Sequence, residues 1–245
     1  EAQMSTRKLK VVLTRRLPDA VETRMRELFD AELNLTDRPM SRDELAAALQ
    51  RAEVLAPTIT DQLDAELIAS AGDQLKMIAN FGAGVDHIDV AAANAKGIIV
   101  TNTPDILTEE VADTTIGLLL MTVRELGKTE AYLRAGEWAK KGDYPFTRGT
   151  LRDRSIGIVG MGRIGQAIGR RLEGFGIPIS YHSRRPQAGV AYKHYPDLVA
   201  MARDVDTLIA IVPGGPSTEK IINAAVLAAL GPRGIFINMA RGSVA

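Results

Sequence analysis

In the first part of the chain, the pattern of apolar and polar positions switches repeatedly between short apolar runs and longer amphipathic stretches. The runs predict strands at residues 11–13, 32–35, 54–56, 75–79 and 98–100, and the stretches predict helices at residues 18–29, 42–52, 61–70 and 89–96. Ser41 and Glu44 fit a capping box, in which the two residues satisfy each other's free backbone N–H groups at a helix start. Strands that alternate with helices favour parallel βαβ units.

A second series of the same kind follows a long apolar segment. Thr108 is predicted to cap a helix over residues 109–133, since acidic residues in its first turn suit the positive end of the helix dipole. Residues 136–154 are polar and carry the only Trp, so little regular structure is expected there. Further strands are predicted at residues 155–159, 179–182, 208–212 and 235–238, and a helix at residues 163–175. The chain is therefore predicted to form two α/β domains, residues 1–105 and 106–245.

Composition and charge exclude several classes of function. The 245 residues are 46% hydrophobic and 24% charged, as in a globular protein. The 30 Lys and Arg residues balance the 30 Asp and Glu residues, which gives no support for a nucleic-acid partner. The absence of Cys excludes disulfides, thiolate metal sites and a Cys nucleophile, and no metal site is expected. No apolar run approaches the ~20 residues that cross a bilayer, so we expect no membrane partner and a cytoplasmic location.

A glycine-rich turn follows the predicted strand at residues 155–159 and precedes a helix. Its sequence is Gly160-Met161-Gly162-Arg163-Ile164-Gly165. The pattern G-x-G-x-x-G between a strand and a helix is typical of a dinucleotide-binding turn. The first glycine permits the tight turn, the second lets the backbone approach a pyrophosphate, and the third lets the helix pack on the strand. Free N–H groups at the helix start, at Arg163 and Ile164, would then bind phosphate. The alternative is a turn that only joins strand to helix.

The end of the next predicted strand distinguishes between dinucleotides. An NAD site carries an acidic residue about 20 positions further on, which accepts hydrogen bonds from the ribose 2′-OH. Here that stretch is Tyr181-His182-Ser183-Arg184-Arg185, without an acid. Ser183 can donate to a 2′-phosphate and the arginines can pair with it, so the stretch predicts a preference for NADP. The alternative is that both arginines are solvated on a surface loop.

Four segments, in order along the chain, resemble the D-isomer-specific 2-hydroxyacid dehydrogenases. They are residues 80–89 (NFGAGVDHID), residues 102–113 (NTPDILTEEVAD), the glycine turn and residues 238–242 (NMARG). The match extends over most of the chain, which makes it more specific than any single motif. The Ser-Arg-Arg stretch and residues 231–235 (GPRGI) are most similar to the NADP-preferring branch of glyoxylate/hydroxypyruvate and hydroxyphenylpyruvate reductases.

This resemblance implies a fold, a cofactor, a substrate and a partner. The fold would be two Rossmann/flavodoxin-like α/β domains with parallel sheets and a cleft between them, with the C-terminal part of the family fold missing from this sequence. The first domain would bind a small 2-keto or 2-hydroxy acid and the second NADP, or else NAD. A homodimer through the nucleotide-binding domain is also implied. Besides the residues above, the implied cofactor-binding positions are Thr108, Val212, Pro213, Thr218, Met239 and Ala240.

Reduction of a 2-keto acid needs a group that binds the carboxylate, an electrophile for the ketone, a proton donor and a hydride. The small residues after the strand at residues 75–79 leave backbone N–H groups available for a carboxylate. The resemblance assigns Ala83 and Gly84 to substrate contact, whereas a simple tight turn is the alternative. Arg241 lies just beyond a strand end, where ligands bind in open α/β sheets, so it is a candidate to hold the carboxylate and polarise the carbonyl.

The proton donor is the missing part of this constellation. In the family it is a His supported by a Glu, both after the Arg-Gly motif, and neither occurs before this sequence ends. None of the three histidines replaces it. His87 is expected at a helix entry or in the pocket, His182 at the ribose end of the cofactor, and His194 in a surface stretch. A missing general acid costs about 10²–10⁴-fold, so the 245-residue chain itself is expected to be nearly inactive.

The leading hypothesis is an NADP-preferring oxidoreductase that reduces small 2-keto acids such as glyoxylate or hydroxypyruvate to D-2-hydroxy acids by hydride transfer, with Arg241 as the catalytic residue. One alternative is a non-catalytic protein of the same fold that senses dinucleotides, because fold alone does not determine function. Another alternative is an NAD-dependent 2-hydroxyacid dehydrogenase, which Ser183 and Arg184 disfavour.

Overall fold

The computed structural model describes residues 7–147 and 149–245. It contains two compact units, of which the first ends at Ile106 and the second begins at Leu107. Each unit holds one five-stranded sheet, and the strands of both sheets are parallel. The predicted fold class, two α/β units with parallel sheets, is therefore confirmed.

The first unit alternates strands and helices as its sequence pattern predicts. Its elements are β1 (Lys10–Leu13), α1 (Asp19–Leu28), β2 (Asp30–Glu32), α2 (Arg42–Arg51), β3 (Val54–Ala56), α3 (Ala65–Ala69), β4 (Met77–Ala79), α4 (Val90–Ala95) and β5 (Ile99–Thr101). The strand order, β2-β1-β3-β4-β5, is the flavodoxin-like one. Helices pack on both faces of the sheet, which explains why the central strands β1, β3 and β4 are largely apolar.

Alternation along the strands divides the core of the first unit into two layers. Val12, Leu55 and Ile78 occupy neighbouring register positions and are fully buried, and they pack in one cluster with side chains of α2, α3 and α4. Val11 and Leu13 point to the other face, towards α1. Because successive strand residues face opposite sides of a sheet, the apolar runs supply both layers.

The second unit begins with three helices and continues as a second alternating series. Its elements are α5 (Thr108–Val123), α6 (Leu126–Arg134), α7 (Glu137–Lys141), β6 (Ile156–Val159), α8 (Arg163–Glu173), β7 (Ile179–His182), β8 (Lys193–Tyr195), α9 (Leu198–Asp204), β9 (Thr207–Ala210), α10 (Ala224–Leu230), β10 (Ile235–Asn238) and a 3₁₀ turn (Gly242–Val244). The strand order, β10-β9-β6-β7-β8, is that of the Rossmann fold. Side chains of α5 and α8 cover one face of the sheet, and those of α9 and α10 cover the other.

Several predicted boundaries are wrong. The second strand is residues 30–32 instead of 32–35, and the helix predicted at residues 61–70 is only Ala65–Ala69, capped by Asp64. The helix predicted at residues 109–133 is two helices, because the chain turns at Glu125, whose φ is 52°. Thr108 is the first residue of α5 and not its cap, since the cap position is Leu107. The apolar pattern continues through the turn, so it could not reveal the break.

Shifts of one to two residues at other element ends and several short elements account for the remaining differences. Helix α7, which contains Trp138, lies in the segment predicted to be irregular, and β8, α9 and α10 are additional to the prediction. Strand β8 is Lys-His-Tyr, a polar sequence that periodicity does not identify as a strand. Among the described residues, no helix has the length and apolar content needed to span a membrane.

The capping box at the start of α2 is confirmed and leads to a prediction about pH. Hydrogen bonds from the Arg38 side chain and the Ser41 backbone lower the pKa of Glu44 from 4.5 to about 2. A depressed pKa stabilises the fold fully above pH 4.5, and this contribution is lost as the pH falls through about 2. We expect the difference in unfolding free energy between wild type and Glu44→Gln to be constant above pH 4.5 and to shrink below it, as measured by urea unfolding.

The exposed loop variant Glu219→Gln controls for the loss of a surface carboxylate without a helix cap. A difference between wild type and Glu44→Gln that stays the same down to pH 2 would contradict this account of the capping box.

Candidate functional site

The loops that carry the predicted cofactor residues leave the second sheet at one edge. Strands β6, β7, β9 and β10 are parallel, so the loops after them all lie at their carboxyl ends. The order of connection reverses between β6 and β9, and open α/β sheets bind ligands in the crevice at such a reversal. The segments that carry the predicted cofactor residues, 160–165, 183–187, 211–218 and 239–245, contain no Asp or Glu.

Gly160 makes the turn that directly follows β6. Its φ is 102°, in the left-handed region that favours glycine. A Cβ at this position would lie 2.8 Å from the carbonyl oxygen of Ile211 and 3.0 Å from the side chain of Val212. The backbone N–H of Gly160 donates to the carbonyl of His182 at 2.9 Å. The turn is therefore held against the ends of both neighbouring strands, and the candidate residue Val212 lies beside it.

Gly162 and Gly165 have opposite surroundings. Gly162 is the N-cap of α8, and an added Cβ would have no heavy atom of the described residues within 4 Å. A Cβ on Gly165 would collide with the carbonyl oxygen of Gly160. The helix thus packs tightly on the turn at one point and leaves open space in front of its first turn, at Arg163 and Ile164. This geometry fits a dinucleotide phosphate, which would approach the free N–H groups and the positive end of the helix dipole.

The Ser-Arg-Arg stretch begins immediately after β7. Arg184 and Arg185 are both exposed. The Ser183 hydroxyl donates to the carbonyl oxygen of Arg185 at 2.7 Å, so its proton is used to shape the loop. The two guanidinium groups therefore supply the positive charge of this loop, and Ser183 holds the backbone from which they project.

The loop after β9 is closed by Thr218. Its hydroxyl lies 2.6 Å from the carbonyl oxygen of Pro213 and 3.1 Å from that of Gly215, and its N–H donates to Gly215 at 3.0 Å. The predicted positions Pro213 and Thr218 are therefore brought together. Thr218 shapes the loop through its hydroxyl.

The predicted residues after β10 are held by an amide side chain. The N–H of Met239 donates to the carbonyl of Ala210 at 2.9 Å, which continues the pairing of β10 with β9. Asn238 Oδ1 accepts from the N–H of Ala240 at 3.0 Å, and Asn238 Nδ2 donates to the carbonyl of Arg241 at 3.0 Å. Arg241 is half-buried, with Nη1 3.1 Å from the Ala240 carbonyl. Asn238 therefore fixes the backbone that presents the candidate catalytic arginine.

Thr108 begins α5, which an arginine of α8 ties in place. Arg171 Nε donates to Asp113 at 2.6 Å and Nη2 donates to Glu109 at 2.7 Å. These hydrogen bonds raise the pKa of Arg171 above its ordinary value. The beginning of α5, with Thr108, is thus attached to the helix that carries the glycine turn.

In the first unit, the candidate substrate loop follows β4 and is organised by Asn80. This residue is 2% exposed, and its Nδ2 donates to the carbonyl oxygens of Gly82 at 3.0 Å and Gly84 at 2.9 Å. Asn102, just after β5, donates through Nδ2 to the carbonyl of Ala83 at 2.8 Å. Three successive carbonyls are therefore bound by two side-chain amides.

The N–H groups of the same peptides point away from the side on which the asparagines bind the carbonyls. With its carbonyls held by asparagines, the loop leaves the N–H groups of Ala83, Gly84 and Val85 without an acceptor among the residues that the structure describes. Ala83 itself is exposed. Free backbone N–H groups can donate to an anion, so the loop can accept a carboxylate, as the sequence predicts.

His87 is a positioning residue in this arrangement. Its side chain is buried, and Nε2 lies 2.9 Å from Asn80 Oδ1. Because an amide oxygen only accepts, His87 Nε2 carries the proton. Sequence reasoning missed Asn80, Asn102 and Asn238 as positioning residues, although each is an Asn directly at or after a strand end.

Comparisons with known proteins relate the chain to one family of enzymes. A family model described as D-isomer specific 2-hydroxyacid dehydrogenase, NAD binding domain, matches residues 116–245. The chain is 44% identical over 179 residues to glyoxylate/hydroxypyruvate reductase A of Arabidopsis thaliana, which covers 73% of this chain and 56% of that protein. It is 40% identical over 205 residues to hydroxyphenylpyruvate reductase of Plectranthus scutellarioides, which covers 84% of this chain and 64% of that protein.

A solved structure is similar over nearly the whole chain. It is the NADPH-dependent glyoxylate/hydroxypyruvate reductase of Sinorhizobium meliloti in complex with NADP and malonate, with a TM-score of 0.88 and 44% sequence identity over 97% of this chain and 72% of that chain. The matched part spans less than two thirds of the length of the two curated relatives named above.

The unequal surroundings of the two glycines predict unequal effects of the same substitution. Gly165→Ala must displace α8 from β6, so we expect a lower melting temperature and loss of NADPH binding. Gly162→Ala adds its methyl group to open space, so we expect an unchanged melting temperature but an NADPH affinity at least about tenfold weaker, because the methyl group occupies the phosphate approach. Differential scanning fluorimetry and NADPH fluorescence titration measure both quantities. Full NADPH affinity in Gly162→Ala would contradict the assignment of the turn.

Proposed function

The chain belongs to the D-isomer-specific 2-hydroxyacid dehydrogenase family, as its motifs predicted, and from this premise we propose that it is the cofactor- and substrate-binding part of an NADPH-dependent reductase of small 2-keto acids. The observation that carries the proposal is the glycine turn of β6 beside an acid-free loop with two exposed arginines. We assign the dinucleotide to the second unit and substrate binding to the first, as the sequence predicted.

The preference for NADP follows from charge at the end of β7. A carboxylate at this position would accept the ribose 2′-OH of NAD and repel a 2′-phosphate. Here Arg184 and Arg185 project from the loop instead, and arginine binds phosphate with charge-assisted, often bidentate hydrogen bonds. The relative from Sinorhizobium meliloti is itself described as NADPH-dependent and bound to NADP. An NAD-dependent enzyme would be the less favoured alternative.

The substrate is proposed to be a small 2-keto acid such as glyoxylate or hydroxypyruvate. The free N–H groups at Ala83 and Gly84 suit a carboxylate. Phe81 precedes these groups, is 44% exposed and adds an apolar side chain to the same loop. The relatives from Arabidopsis thaliana and Plectranthus scutellarioides are named for these keto acids and for hydroxyphenylpyruvate.

The mechanism assigns a separate task to each group. When bound, the reduced dinucleotide supplies the hydride that converts the ketone to an alcohol. The N–H groups of Ala83 and Gly84 orient the substrate through its carboxylate. Arg241 polarises the carbonyl and stabilises the negative charge that develops on its oxygen, which is often the largest single catalytic term.

Each of the three histidines has a structural bond. His87 is bound to Asn80, His182 Nδ1 lies 2.9 Å from the Tyr195 carbonyl and His194 Nε2 lies 3.0 Å from the Ser183 carbonyl. As the resemblance implied, we propose that a His supported by a Glu supplies the proton of the product hydroxyl. The cytoplasmic location stays a prediction from sequence.

The test of the function is NADPH oxidation with a panel of 2-keto acids, on this chain and on any longer form that continues past Ala245. We expect the longer form to reduce glyoxylate or hydroxypyruvate and to prefer NADPH.

Arg241→Lys should lower kcat/KM by about 10²-fold, because a point charge replaces the planar donor pair. The matched control is Arg233→Lys, an exposed arginine before the opposite end of β10. Equal effects of the two substitutions, or no turnover in the longer form, would contradict the proposal.

We further propose a homodimer formed through the second unit. Helices α5, α6 and α7 leave large apolar side chains exposed, namely Leu118, Met121, Leu126, Leu133 and Trp138. Exposed apolar patches on soluble proteins mark interaction surfaces. We expect sedimentation velocity to show a dimer that Leu133→Glu (Leu133 is 60% exposed) dissociates and the control Leu35→Glu (76% exposed, in the first unit) does not. A wild-type monomer at micromolar concentration would exclude this interface.

A further inference from the structure

The strand β8, which sequence reasoning missed, places a histidine under the loop that carries the two arginines. His194 was expected in a surface stretch, but it is half-buried in β8 and opposite Tyr181 in the parallel register with β7. Residues that pair in neighbouring strands share a face of the sheet, and the two rings are in contact with centroids 5.0 Å apart. Tyr181 is 1% exposed, so His194 packs against a ring that is buried in the core.

Both rings form hydrogen bonds with the ends of the loop formed by residues 183–187. His194 Nε2 lies 3.0 Å from the carbonyl oxygen of Ser183, the first residue of the loop. The backbone N–H of Gln187, the last residue, donates to the Tyr181 hydroxyl at 2.9 Å. Because a carbonyl oxygen only accepts, His194 Nε2 is the donor and its tautomer is fixed.

Bonds inside the loop complete this support without using the charged groups. The carbonyl oxygen of Arg185 accepts from the Ser183 hydroxyl at 2.7 Å and from Gln187 Nε2 at 3.2 Å. None of these bonds uses the guanidinium groups of Arg184 or Arg185, and both side chains are exposed. The loop backbone is therefore shaped by Ser183, Gln187 and the Tyr181–His194 pair.

We propose that His194 and Tyr181 are positioning residues for cofactor selection, which hold the loop of residues 183–187 in the shape that presents its arginines to the 2′-phosphate of NADPH. The inference rests on the proposed function of that loop. A pre-shaped loop binds more tightly because less conformational entropy is lost when the ligand arrives. NADH lacks the 2′-phosphate, so its affinity depends less on the shape of this loop.

The test compares the ratio of dissociation constants, NADH over NADPH, in the 245-residue chain by fluorescence titration. His194→Leu keeps an apolar contact with Tyr181 but removes the donor, so we expect the ratio to fall by about 3- to 10-fold. His194→Gln restores an N–H donor of similar reach and should return the ratio to within about twofold of wild type. Because the ratio is taken within one variant, a loss of active protein cancels.

Tyr181→Phe and a matched tyrosine variant provide the second comparison. Tyr181→Phe should lower the ratio and should also speed hydrogen exchange at the Gln187 amide in the absence of cofactor, since that amide loses its acceptor. Tyr195→Phe removes a hydroxyl from β8 that bonds to Asp204 at 2.6 Å and does not contact the loop. It should leave both the ratio and the Gln187 exchange rate unchanged.

Arg184→Ala separates a failure of this inference from a failure of the proposed function. A lower ratio in Arg184→Ala together with an unchanged ratio in His194→Leu and Tyr181→Phe would overturn the positioning role alone. An unchanged ratio in all these variants would overturn both the cofactor assignment and the positioning role. A lower ratio in His194→Leu that His194→Gln does not restore would also count against the proposed hydrogen bond.

Discussion

The close approach of α8 to β6 is the constraint on which the candidate nucleotide-binding edge depends. Gly165 lies so near the Gly160 carbonyl that no side chain fits between them. This contact sets where the helix begins, and therefore where its free N–H groups and its positive dipole end are located. Gly160 is in turn bonded to the carbonyl at the end of β7 and packed against the residues after β9. The glycine turn thus contacts the segments that follow both neighbouring strands.

Much of this architecture could be predicted because it depends on local pattern. Strands covered by helices on both faces must be continuously apolar, and β7 and β10 match their predicted ranges, residues 179–182 and 235–238. The glycine turn could be recognised because each glycine is required for its own steric reason. The structure confirms this for Gly160, which has a positive φ, and for Gly165, where no side chain fits. Parallel topology then brings the strand ends to one edge, so a prediction of strands is also a prediction of the site's location.

The rest could not be predicted because it depends on contacts between distant segments. Glu125 interrupts a segment whose apolar pattern continues on both sides, so the break has no local signal. Strand β8 is polar and short, and its existence follows from pairing with β7 rather than from its own sequence. Asn80 and Asn102 act together on one loop although 22 positions separate them, a contact that only the fold reveals. Ser183 was expected to face a phosphate, whereas its hydroxyl is used within its own loop.

The candidate carboxylate loop of the first unit differs in kind from a site built from lysine or arginine side chains. Ala83 and Gly84 offer peptide dipoles, which do not titrate and carry no net charge. Peptide dipoles attract no counterion atmosphere and act only at short range, so mobile salt screens them far less than it screens a cationic patch.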